Sequence, residues 1–239
     1  MIKKIFKENG FDITEYQEQQ LQKYYDLLTE WNKKINLTAI TEYKDVIVKH
    51  FVDSALLLKS DIFTDQKAKP IEKCSVLDLG TGAGFPGIVL AVLYPQYQYT
   101  LVDSLNKRIE FLHIIKEKLE LNQICLYHGR AEDFGRDSEF RDQYNFVVSR
   151  AVAELPVLLE YCIPFVKPEG YFVAYKGKKC EEEIERSQKA FQELDCEIKR
   201  NQQFLLSGEE RYLLFVKKLS RTKEKYPRKA GKIKKNPLY

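Results

Sequence analysis

Apolar and polar residues alternate with a helical period in the first quarter of the chain. Between positions 15 and 35 the apolar residues recur every three or four positions, with glutamate, glutamine and lysine between them. This spacing places the apolar side chains on one face and predicts an amphipathic helix. The residues of this face are Leu21, Tyr24, Tyr25, Leu28, Trp31 and Ile35. A second helix is predicted over 43–59, so that residues 1–60 form an N-terminal helical cap, and the polar segment 61–73 is predicted to be a linker.

From Cys74 onward, short apolar runs alternate with helical patterns. Strands are predicted over 75–79, 99–103, 124–128, 146–149, 170–175, 197–204 and 211–217. Helices are predicted over 85–93, 105–121, 154–163 and 180–194. This alternation is typical of an α/β fold, a mostly parallel sheet with helices on both faces. Seven strands that end in a hairpin favour a methyltransferase-type Rossmann-like sheet, spanning residues 61–219, over one half of a dehydrogenase.

The turn after the first predicted strand carries the strongest local motif. Residues 76–87 read Val-Leu-Asp-Leu-Gly-Thr-Gly-Ala-Gly-Phe-Pro-Gly. Glycines at this spacing let backbone N–H groups approach a ligand without interference from a Cβ atom, and Pro86 fits the first turn of the following helix. The motif therefore predicts a cradle for a nucleotide, and an adenosyl ligand is its natural occupant.

Two classes of cofactor compete for this turn. Gly82, Gly84 and Gly87 satisfy the dinucleotide pattern G-x-G-x-x-G, and Asp103 lies about 20 residues further on. S-adenosylmethionine enzymes instead place one acid at the end of the first strand, as Asp78 is, and a second that binds both ribose hydroxyls, as Asp103 can. No substrate domain with a hydride-transfer acid or base is recognisable after residue 150. S-adenosylmethionine is therefore favoured, and a nicotinamide-dependent oxidoreductase ranks last.

Charge is distributed unevenly along the 239 residues, whose formal net charge is +4. Residues 217–239 contain ten lysines or arginines and one acid, Glu224, which gives this segment a net charge of +9. The rest of the chain holds 29 basic and 34 acidic residues, a net charge of −5. A mildly acidic body with a basic end favours binding of a polyanion such as nucleic acid there. Charge alone also fits a disordered solubilising tail or a membrane-surface patch.

Other classes are disfavoured by composition. The three histidines lack the spacing of metal ligands, and the five cysteines form no Cys-x-x-Cys pair, so no metal is expected and the thiols are expected to be reduced. Apolar runs are too short to cross a bilayer, so no membrane association is expected. The first residues lack the apolar core of a secretory signal, which predicts a cytoplasmic protein.

Motifs along the whole chain resemble one known family. They are Trp31-Asn32, Asn36-Leu37-Thr38, His50-Phe51-Val52-Asp53-Ser54, the turn from Asp78 to Gly87, Lys107-Arg108, Arg130-Ala131-Glu132, Ser149-Arg150-Ala151, Lys176-Gly177, and the end from Pro227-Arg228-Lys229 to Pro237-Leu238. In these motifs the chain resembles the bacterial small-subunit ribosomal RNA guanine-N7 methyltransferases, also called the glucose-inhibited division protein B family. The resemblance implies a class I methyltransferase fold.

The resemblance also implies S-adenosyl-L-methionine as cofactor and specific residues to bind it. The implied cofactor-binding residues are Asp78, Gly80, Gly82, Gly84, Phe85, Asp103, Ala131, Glu132 and Arg150. Among them, Asp103 would hold the ribose, and Ala131 with Glu132 would read the adenine edge. Arg150 is implied as the catalytic-site residue, holding either the cofactor carboxylate or an RNA phosphate. Guanine N7 carries a lone pair and loses no proton on attack, so catalysis is expected to be mainly alignment.

The implied partner is 16S ribosomal RNA or the small ribosomal subunit, and a monomer is expected. RNA phosphates are assigned to Lys107, Arg108, Lys176, Arg228, Lys229 and Lys235. Residues 220–239 are expected to form a basic RNA-binding tail whose removal, from residue 221, would flatten the salt dependence of RNA binding. Two alternatives stay open: a methyltransferase of this fold acting on another RNA or a protein, and an RNA-binding Rossmann module without catalysis.

Overall fold

A seven-stranded sheet is the central element of the structure, a computed structural model that describes residues 1–64, 74–229 and 231–239. The strands are β1 Ser75–Leu79, β2 Gln98–Asp103, β3 Ile124–His128, β4 Tyr144–Arg150, β5 Val166–Lys176, β6 Cys196–Leu206 and β7 Glu209–Lys218. Their order in the sheet is β3-β2-β1-β4-β5-β7-β6. β1 with β4, β2 with β3, and β4 with β5 are parallel pairs, whereas β7 is antiparallel to both β5 and β6. The predicted α/β class with a mostly parallel sheet is confirmed.

The strand sequences explain these positions in the sheet. β4 and β5 are central, and their runs Phe146 to Val148 and Phe172 to Ala174 are buried without a break, as expected for strands covered on both faces. β6 alternates between exposed and half-buried residues, which suits an edge strand. Ser207 and Gly208 join β6 to β7 with positive φ angles of 51° and 78°, the backbone that a two-residue hairpin turn requires.

Helices connect the strands and precede the sheet. They are α1 Ile2–Glu8, α2 Glu15–Ile35, α3 Tyr43–Val46, α4 Asp53–Ala55, α5 Asp61–Thr64, α6 Gly87–Leu93, α7 Asn106–Lys118, α8 Ala131–Phe134, α9 Leu155–Cys162, α10 Cys180–Glu185, α11 Gln188–Leu194 and α12 Lys232–Lys235. Short helices such as α1 and α12 were not predicted, because one or two turns give too few periodic positions. Most of the predicted linker, residues 65–73, lies outside the described residues.

The prediction of a single helix over 180–194 is wrong, because this segment forms two helices, α10 and α11. The hydroxyl of Ser187, at the break, donates to the carbonyl oxygen of Glu183 over 2.6 Å. A serine that bonds back to the preceding turn disturbs regular helix geometry, and here it separates two helices. After the break, Glu183 lies in the short helix α10, Cys180–Glu185.

The helix predicted over 43–59 is also irregular. A π-helix spans Ile47–Val52, between α3 and α4, and a 3₁₀ turn spans Leu56–Lys59. Positions 46–48 and 51–57 there are all buried, so this segment is covered by the protein on most sides and does not show one apolar stripe of a 3.6-residue repeat. π-turns are frequent at functional sites, and this one contains His50.

Contacts divide the chain into two units, each of which is described by itself. One unit comprises Met1–Cys74 and Thr81–His128, and the other comprises Ser75–Gly80 and Gly129–Tyr239. The predicted domain boundaries after residues 60 and 219 stay predictions. In the first unit α2 buries Leu21, Tyr24 and Leu28, the face that its periodicity predicts.

The N-terminus of α2 is closed by a capping box. The Gln17 N–H donates to the Thr14 hydroxyl over 3.2 Å, and the Thr14 N–H donates to the Gln17 side chain over 2.9 Å. These bonds satisfy two backbone donors that the helix itself leaves unpaired. No helix among the residues with described positions is long and apolar enough to cross a membrane.

In the second unit the C-terminal segment packs onto the body of that unit. Tyr226, Ile233 and Leu238 are buried. The Arg141 guanidinium donates to the carbonyl oxygens of Thr222 and Tyr226 over 2.6 and 2.8 Å. These contacts make the basic end of the chain an ordered part of the fold rather than a loose extension.

A buried ion pair fastens this segment to α9. Glu160 is fully buried, and its carboxylate accepts three hydrogen bonds from the Arg228 guanidinium, at 2.6 to 3.0 Å, and one from the Arg228 backbone N–H at 2.8 Å. The hydrogen bond to Glu160 raises the pKa of Arg228 above its ordinary value. Arg228 was predicted to bind RNA phosphate, but its guanidinium is already engaged by Glu160, which favours a structural role.

We expect Arg228→Met to destabilise the protein by about 3–5 kcal/mol, because it leaves the Glu160 charge buried without its partner. Urea unfolding measures the change. Lys229→Met, which removes an exposed charge from the next residue, serves as the control and should change stability by less than about 0.5 kcal/mol. Equal unfolding midpoints for the two variants would contradict the structural role of the ion pair.

Candidate functional site

The glycine-rich turn adopts a backbone that only glycine accommodates easily. Gly80, Gly82 and Gly84 have φ angles of +72°, +62° and +104°. At Gly84 an added Cβ atom would lie 2.5 Å from Ile88, 2.7 Å from the Tyr24 hydroxyl and 2.9 Å from Leu112. At Gly82 no described atom lies within 4 Å of that position, so the backbone there faces open space. This open face is the feature that the sequence motif predicts for a ligand cradle.

Asp103 holds the turn from the end of β2. One carboxylate oxygen accepts the Gly82 N–H over 2.9 Å, and the other accepts the Leu105 N–H over 2.9 Å. The Arg108 guanidinium lies 3.3 Å away. Asp103 is only 3% exposed. Since a carboxylate offers about four lone-pair directions, its oxygens retain capacity for further donors such as ribose hydroxyls.

An aromatic cluster from the N-terminal helices supports the same turn. The Tyr24 hydroxyl donates to the Ala83 carbonyl oxygen over 2.5 Å. The ring of Tyr24 stacks on that of Phe51, with centroids 5.2 Å apart, and lies 5.4 Å from Phe85. The helical period predicts that Tyr24 is buried but not its bond to the turn, because periodicity indicates which face is buried and not what that face contacts.

Phe85 is packed on its other side by His50. Their rings stack with centroids 4.6 Å apart, and Thr38 Oγ1 lies 2.7 Å from His50 Nε2. The side-chain amide of Asn32 makes two bonds to the backbone of Thr38, at 2.8 and 2.9 Å. These bonds explain the spacing of the Asn32 and Thr38 motifs. Phe85 itself is 5% exposed, so this aromatic packing places its ring largely inside the first unit.

In the second unit, the ends of β1 and β4 meet. Asp78 is completely buried in β1, and the Ser149 hydroxyl donates to the Leu79 carbonyl oxygen over 2.9 Å. A Cβ atom on Gly80 would lie 2.5 Å from Val152 in the loop after β4. Only glycine at position 80 permits this approach. The half-buried Arg150 ends β4 and precedes that loop.

Glu132 lies in the short helix α8, where it is 8% exposed. The neighbouring Ala131 is half-buried. Burial, together with the charge and hydrogen bond of Glu132, raises the pKa of Tyr161 to about 12. The Tyr161 hydroxyl is therefore protonated at neutral pH and is able to hold the Glu132 carboxylate in place. This second acid is thus buried and oriented, as Asp103 is in the other unit.

The basic residues assigned to RNA differ in how accessible they are. Lys107 is exposed at the start of α7. The guanidinium of Arg108 forms an ion pair with Asp103, so it is less available for phosphate. Lys176 is buried, and its ammonium group lies 2.6 Å from the Glu183 carboxylate. Lys176 therefore differs from the exposed lysine that the sequence suggested.

The basic C-terminal segment is half neutralised within the fold. Five of its ten basic residues lie within ion-pair distance of acids: Lys217 with Glu169, Lys218 with Asp142, Lys223 and Lys225 with Glu193, and Arg228 with Glu160. The other five are Arg221, Lys229, Lys232, Lys234 and Lys235. Lys229 and Lys235 are exposed, so they remain accessible for the predicted phosphate contacts.

The groups that the site offers to a ligand are carboxylates, glycine backbone and arginine side chains. Across the portions of the chain with described positions, no group of three or more histidine, cysteine or carboxylate residues is arranged to hold a metal ion. Gly82 with its open face and Asp103 fit a nucleoside, whose ribose offers two hydroxyl donors. The arrangement can thus bind and orient an adenosyl group.

Comparison with known proteins identifies related sequences along nearly the whole chain. The family model described as rRNA small subunit methyltransferase G matches residues 17–213. A protein of Thermoanaerobacter sp. strain X514 named ribosomal RNA small subunit methyltransferase G is 47% identical over 97% of this chain and 95% of its own. A protein of the same name from Streptococcus equi subsp. equi is 44% identical over 98% of this chain and 97% of its own.

Solved structures with low sequence identity share the fold. TrmN from Thermus thermophilus has a TM-score of 0.51 at 16% identity, over 72% of this chain and 53% of that chain. A mutant of the 16S rRNA (adenine(1408)-N(1))-methyltransferase from Catenulisporales acidiphilia, solved with cosubstrate SAM, has a TM-score of 0.51 at 14% identity, over 69% of this chain and 94% of that chain. At these identities the similarity shows the fold alone.

We expect Gly84→Ala to destabilise the protein by about 2–5 kcal/mol, because the variant combines an unfavourable backbone with crowding by three side chains. Urea unfolding of the variant measures this change. Gly177→Ala is the matched control, since Gly177 has no left-handed φ and open space at its Cβ position. Equal stability of the two variants would show that the turn relaxes at no cost and would contradict the packing described here.

Proposed function

The chain belongs to the rRNA small subunit methyltransferase G family, and we propose on this premise that it transfers a methyl group to N7 of a guanine in 16S ribosomal RNA. The resemblance predicted from the sequence motifs is confirmed. The protein is an S-adenosylmethionine-dependent ribosomal RNA methyltransferase. The position of methylation, N7 of guanine, is the part that we propose, and its support is the family resemblance together with the chemistry of the site.

The observation that carries the assignment of the site is the buried carboxylate of Asp103, which is bonded to the Gly82 N–H. We assign the ribose hydroxyls to Asp103 and the adenine edge to Ala131 and Glu132. The backbone of Gly80 and Gly82 would lie along the cofactor. Asp78 would stay buried at the end of β1, where it supports the turn that follows.

N7 of guanine suits a site of this kind. When bound, S-adenosylmethionine supplies a methyl group on a positively charged sulfur, and attack by N7 forms the new N–C bond as the S–C bond breaks. N7 loses no proton, so no general base is required. Asp103 and Glu132 are each held by protein hydrogen-bond donors and act by binding and orientation. Alignment of the reacting atoms is then the main source of catalysis.

Arg150 would bind an anion at some distance from the reacting atoms. A cation beside N7 would oppose the positive charge that develops on the purine ring during transfer. We therefore assign Arg150 to the carboxylate of the cofactor or to an RNA phosphate. Phe85, packed between Tyr24 and His50, would keep the glycine turn in shape more than it would contact ligand.

The proposal is tested on small ribosomal subunits from cells that lack the gene for this protein. After incubation with the protein and S-adenosylmethionine, borohydride and aniline treatment cleaves RNA at N7-methylguanosine. We expect one new cleavage site in 16S RNA and none when the cofactor is omitted. Incorporation of labelled methyl groups without cleavage would instead indicate another position or a protein substrate. Binding of S-adenosylmethionine without any methyl transfer would favour an RNA-binding module. Binding of NAD instead of S-adenosylmethionine would favour an oxidoreductase.

We expect the ribose hydroxyls and Asp103 to be energetically coupled. Calorimetric titration compares S-adenosylhomocysteine with its 2′-deoxy analogue, on the wild type and on Asp103→Asn. The missing hydroxyl should lower wild-type affinity by about 10- to 150-fold, since a hydrogen bond to a charged group contributes about 1.5–3 kcal/mol. It should matter much less in Asp103→Asn. Additive effects of the two changes would contradict the assignment. Glu110→Gln, an exposed acid on α7, is the control.

RNA binding by the C-terminal segment is best tested by substitution, because deletion would remove the buried Tyr226, Ile233 and Leu238. The variant replaces four exposed lysines with alanine: Lys229, Lys232, Lys234 and Lys235. If these contact phosphates, the slope of log affinity against log salt should fall by up to about 2.8–3.6, at about 0.7–0.9 per contact. The control replaces four exposed lysines near the N-terminus: Lys3, Lys4, Lys7 and Lys44. Equal slopes for the first variant and the wild type would contradict a role of this segment in RNA binding.

A further inference from the structure

Three elements of the second unit meet at a single carboxylate. One oxygen of Glu183, in α10, accepts the backbone N–H of Leu155 over 2.7 Å and the ammonium group of Lys176 over 2.6 Å. The same ammonium group donates to the Ala153 carbonyl oxygen over 2.9 Å. Lys176 ends β5 and Leu155 begins α9, so the start of α10, the end of β5 and the loop before α9 are joined.

This pair is enclosed rather than exposed. The side chains of Lys176 and Glu183 are 7% and 16% exposed. Two of the three donors of the Lys176 ammonium are used inside the protein. A lysine that binds RNA phosphate has its ammonium group at the surface. The ammonium group of Lys176 instead points into the protein and bonds to the loop that contains Ala153. These contacts therefore favour a structural role of Lys176 over phosphate binding.

The bonded loop, residues 151–154, follows directly after Arg150. Ala151 has a φ of +58°, a backbone conformation that residues other than glycine rarely adopt. The loop therefore needs support from its surroundings to keep it. Its next residue, Val152, occupies the space that a Cβ atom on Gly80 would fill. A shift of the loop would therefore move both Arg150, which precedes the loop, and Val152, which lies against Gly80.

We propose that Lys176 and Glu183 are positioning residues for methyl transfer, which hold the 151–154 loop so that Arg150 and Gly80 keep their places in the site. This inference rests on the proposed function, because it takes Arg150 and Gly80 as parts of the methyl-transfer site. Neither Lys176 nor Glu183 touches the reacting atoms in this account. Their effect passes through the loop.

The first test is Lys176→Met, which removes the ammonium group and keeps much of the side-chain length. Hydrogen exchange of the segment 151–155, including the Leu155 amide, should become faster than in the wild type. With small subunits as substrate, kcat should fall roughly 10- to 100-fold, as expected for a misplaced site. Lys176→Arg should recover part of kcat, since a guanidinium is able to reach the same acceptors. Lys178→Met, which removes an exposed lysine two residues away, should leave exchange and kcat unchanged.

The alternative, direct contact of Lys176 with RNA, predicts a different pattern. In that case KM for RNA rises, the salt slope of RNA binding falls by about 0.7–0.9, and kcat and hydrogen exchange are unaffected. That pattern overturns the proposal. So does faster exchange of the loop with wild-type kcat, because the loop would then be held without consequence for transfer.

Glu183→Gln keeps the test decisive if Lys176→Met does not fold. The amide oxygen is able to accept the same two hydrogen bonds without the negative charge, so exchange and kcat should change in the same direction but less than in Lys176→Met. Glu182→Gln, an exposed neighbour, is its control. Wild-type values for Glu183→Gln would overturn the proposal. Hydrogen exchange needs no substrate, so it tests the hold on the loop even if the wild type proves inactive on guanine N7, whereas that inactivity by itself refutes the proposed function.

Discussion

The Asp103 carboxylate is the interaction on which the glycine turn depends. Buried at the end of β2, it accepts the N–H groups of Gly82 and Leu105, and so ties the turn to the start of α7. The same turn receives the Tyr24 hydroxyl and the packing of Phe85. A charged acceptor forms stronger hydrogen bonds than a neutral one, and burial protects these bonds from water. One side chain therefore shapes the cradle. Gly82, Leu105 and Arg108 use three of its roughly four lone-pair directions, so it also retains capacity to accept a ribose hydroxyl.

Local patterns in the sequence were sufficient to predict the strands and the turn. Buried strands, glycines and strand-end acids are set by residues close together in the chain, which is why Asp78, Gly82 and Asp103 were placed correctly on their elements. Tyr24 lies 59 residues before Ala83, its hydrogen-bond partner, and no spacing rule connects them. The split between α10 and α11 coincides with the back-bonded Ser187, and the π-helix over 47–52 lies where most residues are buried. These features arise from packing and so could not be predicted from periodicity.

Charge illustrates the same limit. Counting residues gives the segment 217–239 a net charge of +9, and the sequence suggested a basic tail. In the fold, Arg228 neutralises the buried Glu160, and four lysines lie beside other acids. Lys176, also assigned to RNA, is turned toward Glu183. Partners brought close by the fold decide which cations remain accessible, and the exposed lysines near the end of the chain are the ones that keep this property.

The most direct test of the central claim is a crystal structure of the protein with S-adenosylhomocysteine. We expect at least one ribose hydroxyl within hydrogen-bond distance of the Asp103 carboxylate, with the Gly82 N–H still bonded to the same side chain. A nucleoside bound elsewhere, or bound beside the glycine turn with its ribose turned away from Asp103, would contradict it.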